Sequence, residues 1–238
     1  MFHDIAPSYD LLNRTLSLGI DQGWRRFTAR RVIVPGVQQI LDVCCGTGDL
    51  ASEFQRRAAT LGESVRVVGS DFTPSMMQRG HRKMGQMFPS PHGPASIVAD
   101  TMALPFPDDS FDLVSVAFGI RNVQSTEAGL REMTRVCRPG GTVAVLEFSH
   151  PRLLLVRQAY HFYFHQVLPR VGSWVTGTRA YRYLPTSVSG FPDTEEFSQM
   201  LRSHVGETVS ATRLTLGIAT LYLATKARCL MHESGGIT

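Results

Sequence analysis

The sequence predicts an α/β protein built on an open, mostly parallel sheet, and three observations carry that expectation. The first is Gln39-Ile-Leu-Asp-Val-Cys-Cys-Gly-Thr-Gly-Asp49, an apolar run that ends in Gly46-Thr47-Gly48 and passes at once into a helix-compatible segment over residues 49–59. That pattern is a buried strand feeding a tight turn and a helix N-terminus. The second is a further buried run over residues 65–71, which ends in Asp71, about 23 residues after Gly48. The third is recurrence: runs at 95–99, 113–117 and 142–148 read as further strands, separated by helical or turn-rich segments.

Glycine at 46 and 48 permits positive φ and lets a ligand approach the backbone closely. The carboxyl end of a first parallel strand is also where open α/β sheets bind ligands. The same letters read as Gly-x-Gly-x-x-Ala, so a dinucleotide-binding turn has to be weighed. Asp42 argues against it, because it stands where that fingerprint places a small apolar residue and its charge would oppose a pyrophosphate. A cofactor carrying an amine and a sulfonium would be favoured by the same carboxylate. The pattern Asp42-x-x-x-Gly46-x-Gly48 resembles the first motif of class I S-adenosylmethionine-dependent methyltransferases. That resemblance implies a Rossmann-like fold, a mostly parallel seven-stranded sheet with helices on both faces, and S-adenosylmethionine as cofactor.

Taken in order, residues 1–36 read as a helical N-terminal extension that Pro35-Gly36 ends. Trp24 and Phe27 sit at helical spacing and are expected to face the core. The Tyr, Asn, Ser and Gly residues ahead of them suit a lid over the site. Asp71, at the tip of strand two, can accept hydrogen bonds from vicinal ribose hydroxyls. It can also cap the helix that begins at Thr73-Pro74-Ser75. Residues 89–94 form a turn-rich linker, and strand three ends at Asp100-Thr101, within reach of an adenine edge. After strand four, Phe118-Gly-Ile-Arg-Asn-Val123 is expected beside the transferable methyl group. Residues 127–136 read as a helix, Arg138-Pro-Gly-Gly141 as a stop signal, and 142–148 as strand five. Residues 150–190 form an expected acceptor cap whose aromatics (Tyr160, Phe162, Tyr163, Phe164) either wall a prenylated ring or pack the helix onto the core. Another helix begins near Pro192, and two β-runs within 207–226 close the sheet. One domain thus spans 1–227, with 228–238 as a flexible tail.

Composition narrows the classes. With 238 residues, 43% hydrophobic and 18% charged, the chain suits one substantial globular domain. A net charge of +4, spread without a long basic block, points to no nucleic-acid partner. Four cysteines without metal-ligand spacing fit a reduced, cytoplasmic protein. His161 and His165 lack a third ligand, so no metal site is expected. No signal peptide is visible. The longest apolar stretch, over residues 153–168, is interrupted by Arg157, His161 and His165, so any membrane contact would be peripheral.

The larger pattern is more specific. Tyr9-Asp10-x-x-Asn13, Ser17-x-Gly19, Trp24, Phe118-Gly-Ile-Arg-Asn-Val123, Arg135-Val-Cys-Arg-Pro-Gly-Gly141, Val145-Leu-Glu-Phe-Ser149, Val167-Leu-Pro169, Ala180-Tyr-Arg-Tyr-Leu-Pro185, Ser187, Phe191-Pro192 and Gly217 together resemble the quinone-biosynthesis C-methyltransferases. The resemblance covers residues 2 to about 226. It implies methylation of the ring of demethylmenaquinol, or of related ubiquinone or phylloquinone precursors. It further implies cofactor contacts at Thr47, Asp71, Asp100 and Thr101, to which the first motif adds Asp42, Gly46 and Gly48. Two departures are Asp21-Gln22, where His-Arg is common, and Ala117, where some members have Ser.

Methylating carbon needs an activated ring, and a free phenol with pKa about 10 is mostly neutral at pH 7. A cation that stabilises the phenolate, or a general base, must therefore be present. Arg121 is the candidate cation, Asn122 the residue that orients an oxygen, and His150 the candidate base, with Tyr9 and Asp10 closing over the ring. The expected partner is a prenylated quinol. A homodimer and a peripheral contact at the inner face of the membrane are compatible with the sequence. Another small phenolic or lipid acceptor, and a non-catalytic cofactor-binding scaffold in a quinone-synthesis complex, are the alternatives.

Overall fold

The computed structural model describes residues 14, 17, 19–88, 95–163, 166 and 187–228. Helix α1 (Ile20–Val32) leads into β1 (Gln39–Val43), α2 (Asp49–Leu61), β2 (Arg66–Asp71), α3 (Pro74–Met87) and β3 (Ala95–Val98). Then come β4 (Phe111–Ala117), a 3₁₀ turn (Ile120–Asn122), α4 (Thr126–Val136), β5 (Cys137–Phe148), α5 (Leu154–Phe162), α6 (Thr194–His204), β6 (Val209–Leu214) and β7 (Ala219–Thr225). The strands form one seven-stranded sheet in the order β3-β2-β1-β4-β5-β7-β6. Only β7 is reversed, running antiparallel to both β5 and β6.

Strands β1 and β4 are central because neither can face water. Alternate residues of each serve opposite layers, as the two-residue period of a strand requires. Leu41, Val43, Val114 and Val116 pack against Leu130 and Met133 of α4 and Phe197 and Leu201 of α6. Ile40 and Leu113 pack on the other face against Ala29 and Val32 of α1 and Leu50 and Phe54 of α2. Chain order reverses between β1 and β4, so the connections leaving their carboxyl ends diverge and open a crevice there.

The expected alternation of strand and helix is what forms, with one instructive difference. Arg138-Pro-Gly-Gly141 reads as a stop signal but lies inside β5. Phe111 pairs with Cys137 and Leu113 with Thr142, a step of two residues on β4 against five on β5, so residues 138–141 bulge out of the ladder. Pro139 is tolerated there because a bulge asks no ladder donor of it. Gly140 takes φ 77°, and backbone hydrogen bonds between Gly140 and Gly141 and Lys226 tie the bulge to the strand end beyond β7. The start of α6 is fixed by a capping box, Asp193 with Glu196. Tyr9, Asp10, Asn13, the 180–185 motif and residues 229–238 of the expected tail lie outside the described residues.

Gly119, just after β4, has ordinary negative φ and is needed for space alone. A Cβ there would overlap Cys44 Cβ and stand 3.3 Å from its Sγ. Cys44 cannot yield easily, since its own φ is 49°. Gly119→Ala should therefore lower stability by about 1–3 kcal/mol, the usual cost of overpacking. The urea midpoint measures this, and an unchanged midpoint would show that the two loops are free to part.

Candidate active site

The turn after β1 is built by successive positive φ values at Cys44 (49°), Gly46 (57°) and Gly48 (79°), which fold the chain back into the N-terminus of α2. Asp71, at the end of β2, locks this turn. Its Oδ2 accepts from Gly46 N at 2.9 Å and its Oδ1 from Thr73 N at 2.8 Å. Asp71 is not the N-cap of α3, a position that Thr73 holds; it instead fixes the approach to the helix through Thr73 N, while each carboxylate oxygen has a second lone pair to offer.

A cavity of about 300 Å³ opens at these loops. It brings Gly46, Asp71, Asp100, Thr101 and Asn122 together with Phe72 and Phe118. Asp100 Oδ1 accepts from Met102 N at 2.9 Å, which fixes the turn after β3. Thr101 is buried, and its hydroxyl lies 3.2 Å from Cys44 Sγ. Thr47 and Gly48 do not line the cavity. The Thr47 hydroxyl accepts from Lys83 Nζ at 3.3 Å, and the same ammonium pairs with Asp49 at 2.6 Å. Asp42 does not line it either. It is 1% exposed, with Ser115 Oγ donating at 2.7 Å. Burial pushes its carboxyl up to about 7, against the opposing pull of Ser115 and the Arg25 charge.

Arg121 and His150 also stand outside the cavity lining. Arg121 pairs through Nη1 with Glu147 Oε1 at 2.6 Å, the two side chains being 8% and 0% exposed. The same nitrogen donates to Phe118 O at 2.6 Å, and Nε donates to Ser187 Oγ at 3.4 Å. Nη2 makes no hydrogen bond to a described residue. Glu147 Oε1 also accepts from Phe148 N, whereas Oε2 has no hydrogen-bond partner among the described residues. Burial pushes Glu147 up despite the guanidinium beside it. Tyr160 of α5, itself buried, feels both charges. His150 contributes instead to the field at Asp193, which caps α6.

Glu147 was not marked out by sequence reasoning, which took it as one letter of a motif in strand five. The available signal was a carboxylate inside an otherwise apolar buried strand, a placement that needs a partner.

A model of the ubiE/COQ5 methyltransferase family matches residues 1–226. The chain belongs to that family. It is 45% identical over 227 residues to the ubiquinone/menaquinone biosynthesis C-methyltransferase UbiE of Geotalea daltonii, covering 95% of this chain and 94% of that one. It is 44% identical over 227 residues to the demethylmenaquinone methyltransferase of Deinococcus radiodurans, covering 95% and 91%. Among solved structures, an S-adenosylmethionine-dependent methyltransferase from Thermotoga maritima aligns with a TM-score of 0.61 at 16% identity, covering 95% of this chain and all of that one. At that identity the likeness shows the fold. This ubiE/COQ5 family member is thus an S-adenosylmethionine-dependent C-methyltransferase of quinone biosynthesis, with the class I Rossmann-like architecture expected of it. The residues present suit the cofactor, since Asp71 retains acceptor capacity for a diol and the turn backbone is bare of side chains at Gly46.

Asp42 has a consequence for stability. Its folded-state pKa, about 7, lies above the ordinary 3.8. Its contribution is therefore fully present below the unfolded value and lost as pH rises through about 7. The urea midpoint of the unliganded methyltransferase should fall from about pH 5 to about pH 8, and Asp42→Asn should flatten that slope. An equal slope in the variant would place the ionisation elsewhere.

Proposed function

We propose that this methyltransferase transfers the methyl group to a ring carbon of a prenylated demethylnaphthoquinol, converting demethylmenaquinol to menaquinol. Menaquinone is common to the names of both relatives, which supports the naphthoquinol ring. The observation that carries the chemistry is the buried Arg121–Glu147 pair, which joins the ends of β4 and β5 beside the cavity. S-adenosylmethionine, when bound, supplies a methyl group on an already good leaving group, so the chain's own work is alignment and ring activation.

In this reading Arg121 Nη2 receives the phenolate oxygen and Asn122, which lines the cavity, orients it. Of two proton acceptors near the end of β5, Glu147 is better placed than His150, because it already touches Arg121. The quinol O–H proton passes to Glu147, and Arg121 exchanges a carboxylate partner for a phenolate. The buried site then carries the same net charge before and after, which a low-dielectric setting favours. After methyl transfer the ring C–H proton passes to water as the ring re-aromatises, and Glu147 returns the proton it holds to the phenolate oxygen, so one proton is released for each methyl group transferred. Asp71, Asp100, Thr101 and the Gly46 backbone, which line the cavity, hold the cofactor in this reading, with Thr47, Gly48 and Asp42 shaping the turn behind it.

The rest of the proposal concerns access. Residues 1–36 act as a lid: Trp24 of α1 packs 5.8 Å from Phe118 and 6.2 Å from Phe148, and its Nε1 donates to Thr215 Oγ1. Residues 150–190 act as the acceptor cap, with Tyr160 facing the Arg121–Glu147 charges. Leu153, Leu154 and Leu155 are exposed, flanked by Arg152 and Arg157, a composition suited to peripheral contact with the inner face of the membrane. Among the described residues no helix is long and apolar enough to cross a membrane.

Incubation with labelled S-adenosylmethionine and a reduced demethylnaphthoquinol of short prenyl chain should put label in the ring. Asp71→Ala should remove most of that transfer through lost cofactor affinity. Arg121→Gln should lower kcat at least about tenfold with cofactor affinity near wild type, within the range set by one preorganised donor. Transfer only to a benzoquinol would overturn the ring assignment, and saturable cofactor binding without transfer to any quinol would overturn catalysis.

A further inference from the structure

We propose that Arg25 of α1 receives the α-carboxylate of the cofactor's amino-acid end, and that this contact makes the site select ligands with an intact amino-acid tail over bare thioether nucleosides.

Arg25 is a largely buried cation with one buried donor left without a hydrogen bond among the described residues. Its side chain is 10% exposed. Its Nε has no hydrogen-bond partner among the described residues. Its ion-pair neighbour is Asp21, at 3.6 Å between Nε and Oδ2, too long for a hydrogen bond. Asp21 is itself engaged elsewhere, accepting from Ser17 Oγ at 2.6 Å. A guanidinium carries five donors, and taking it out of water without satisfying them is costly.

Its position points to the ligand that would satisfy it. The guanidinium carbon sits 5.2 Å from the centroid of Phe118, which lines the cavity. Its charge is felt by Asp42, before the 44–48 turn, and by Asp49, directly after it. Arg25 therefore stands against Phe118 on the α1 side of the cavity, while Asp71 holds the turn from β2. Lys83 and Arg14 also act on Asp49, and Lys83 is engaged by Asp49 and Thr47. A carboxylate matches the planar donor edge of a guanidinium two bonds at a time.

The inference rests on S-adenosylmethionine being the cofactor, and a ligand series on the full chain separates the two claims. Calorimetric titration would compare S-adenosylhomocysteine with 5′-methylthioadenosine, which keeps the adenosine and thioether but lacks the amino acid. Wild type should prefer S-adenosylhomocysteine. Arg25→Gln should lose about 10- to 100-fold in affinity for it and stay within about twofold for 5′-methylthioadenosine, since one charge-assisted bidentate contact is removed. Arg25→Lys keeps the charge without the fork and should fall between, and it carries the test if the glutamine variant does not fold. Equal loss for both ligands, or no loss for either, would overturn the proposal. Wild type binding neither ligand would overturn the cofactor assignment with it.

Discussion

Much of the site depends on how closely backbone approaches backbone around residues 44–48. The turn after β1 is pressed by Gly119 from the loop after β4 and by Gly80 of α3, where an added Cβ would stand 3.2 Å from Gly46 O. Side chains at those positions would push the elements apart, because packed interiors have no slack to absorb them. With glycine there, the divergent loops at the switch between β1 and β4 stay close enough for Asp71 to reach Gly46 N and for Phe118 to wall the same cavity. The crevice is thus a product of topology, and its width is a product of absent side chains.

Three carboxylates stand near the carboxyl ends of β2, β1 and β5, and their surroundings hold them in different conditions. Asp71 is half-buried and accepts one backbone N–H on each oxygen, which leaves a further lone pair on each. Asp42 is buried with a hydroxyl donor, and desolvation dominates. Glu147 is buried against a guanidinium, which opposes but does not cancel the same penalty. Of the three, Asp71 lines the cavity, while Asp42 and Glu147 lie buried behind its lining. Phe118, whose φ of 58° is unusual for an aromatic residue, sits between the cations Arg25 and Arg121, and its carbonyl accepts from Arg121. That strained residue couples the N-terminal helix to the end of β5.

The fold was largely legible in the chain because periodicity and turn chemistry act locally. Buried runs separated by helical segments specify parallel strands, and the class I architecture followed from Asp42-x-x-x-Gly46-x-Gly48 together with Asp71. The error at Arg138-Pro-Gly-Gly141 has a physical source. Proline and glycine mark a local interruption, but only pairing with β4 and the anchor at Lys226 decides whether the strand stops or bulges and continues.

By itself the sequence determined the sheet, its helices, the glycine turn and the family, since each depends on residue type and spacing along the chain. Tertiary structure alone decided which candidates share one space. It gathered Gly46, Asp71, Asp100, Thr101 and Asn122 around one cavity, and it left Asp42, Thr47, Gly48, Arg121 and His150 outside the lining. It also singled out two residues that look ordinary in the sequence. Glu147 is 26 positions from Arg121, and Arg25 is 93 positions from Phe118. Charge pairing and desolvation depend on distance through space, and only the folded sheet brings those partners together.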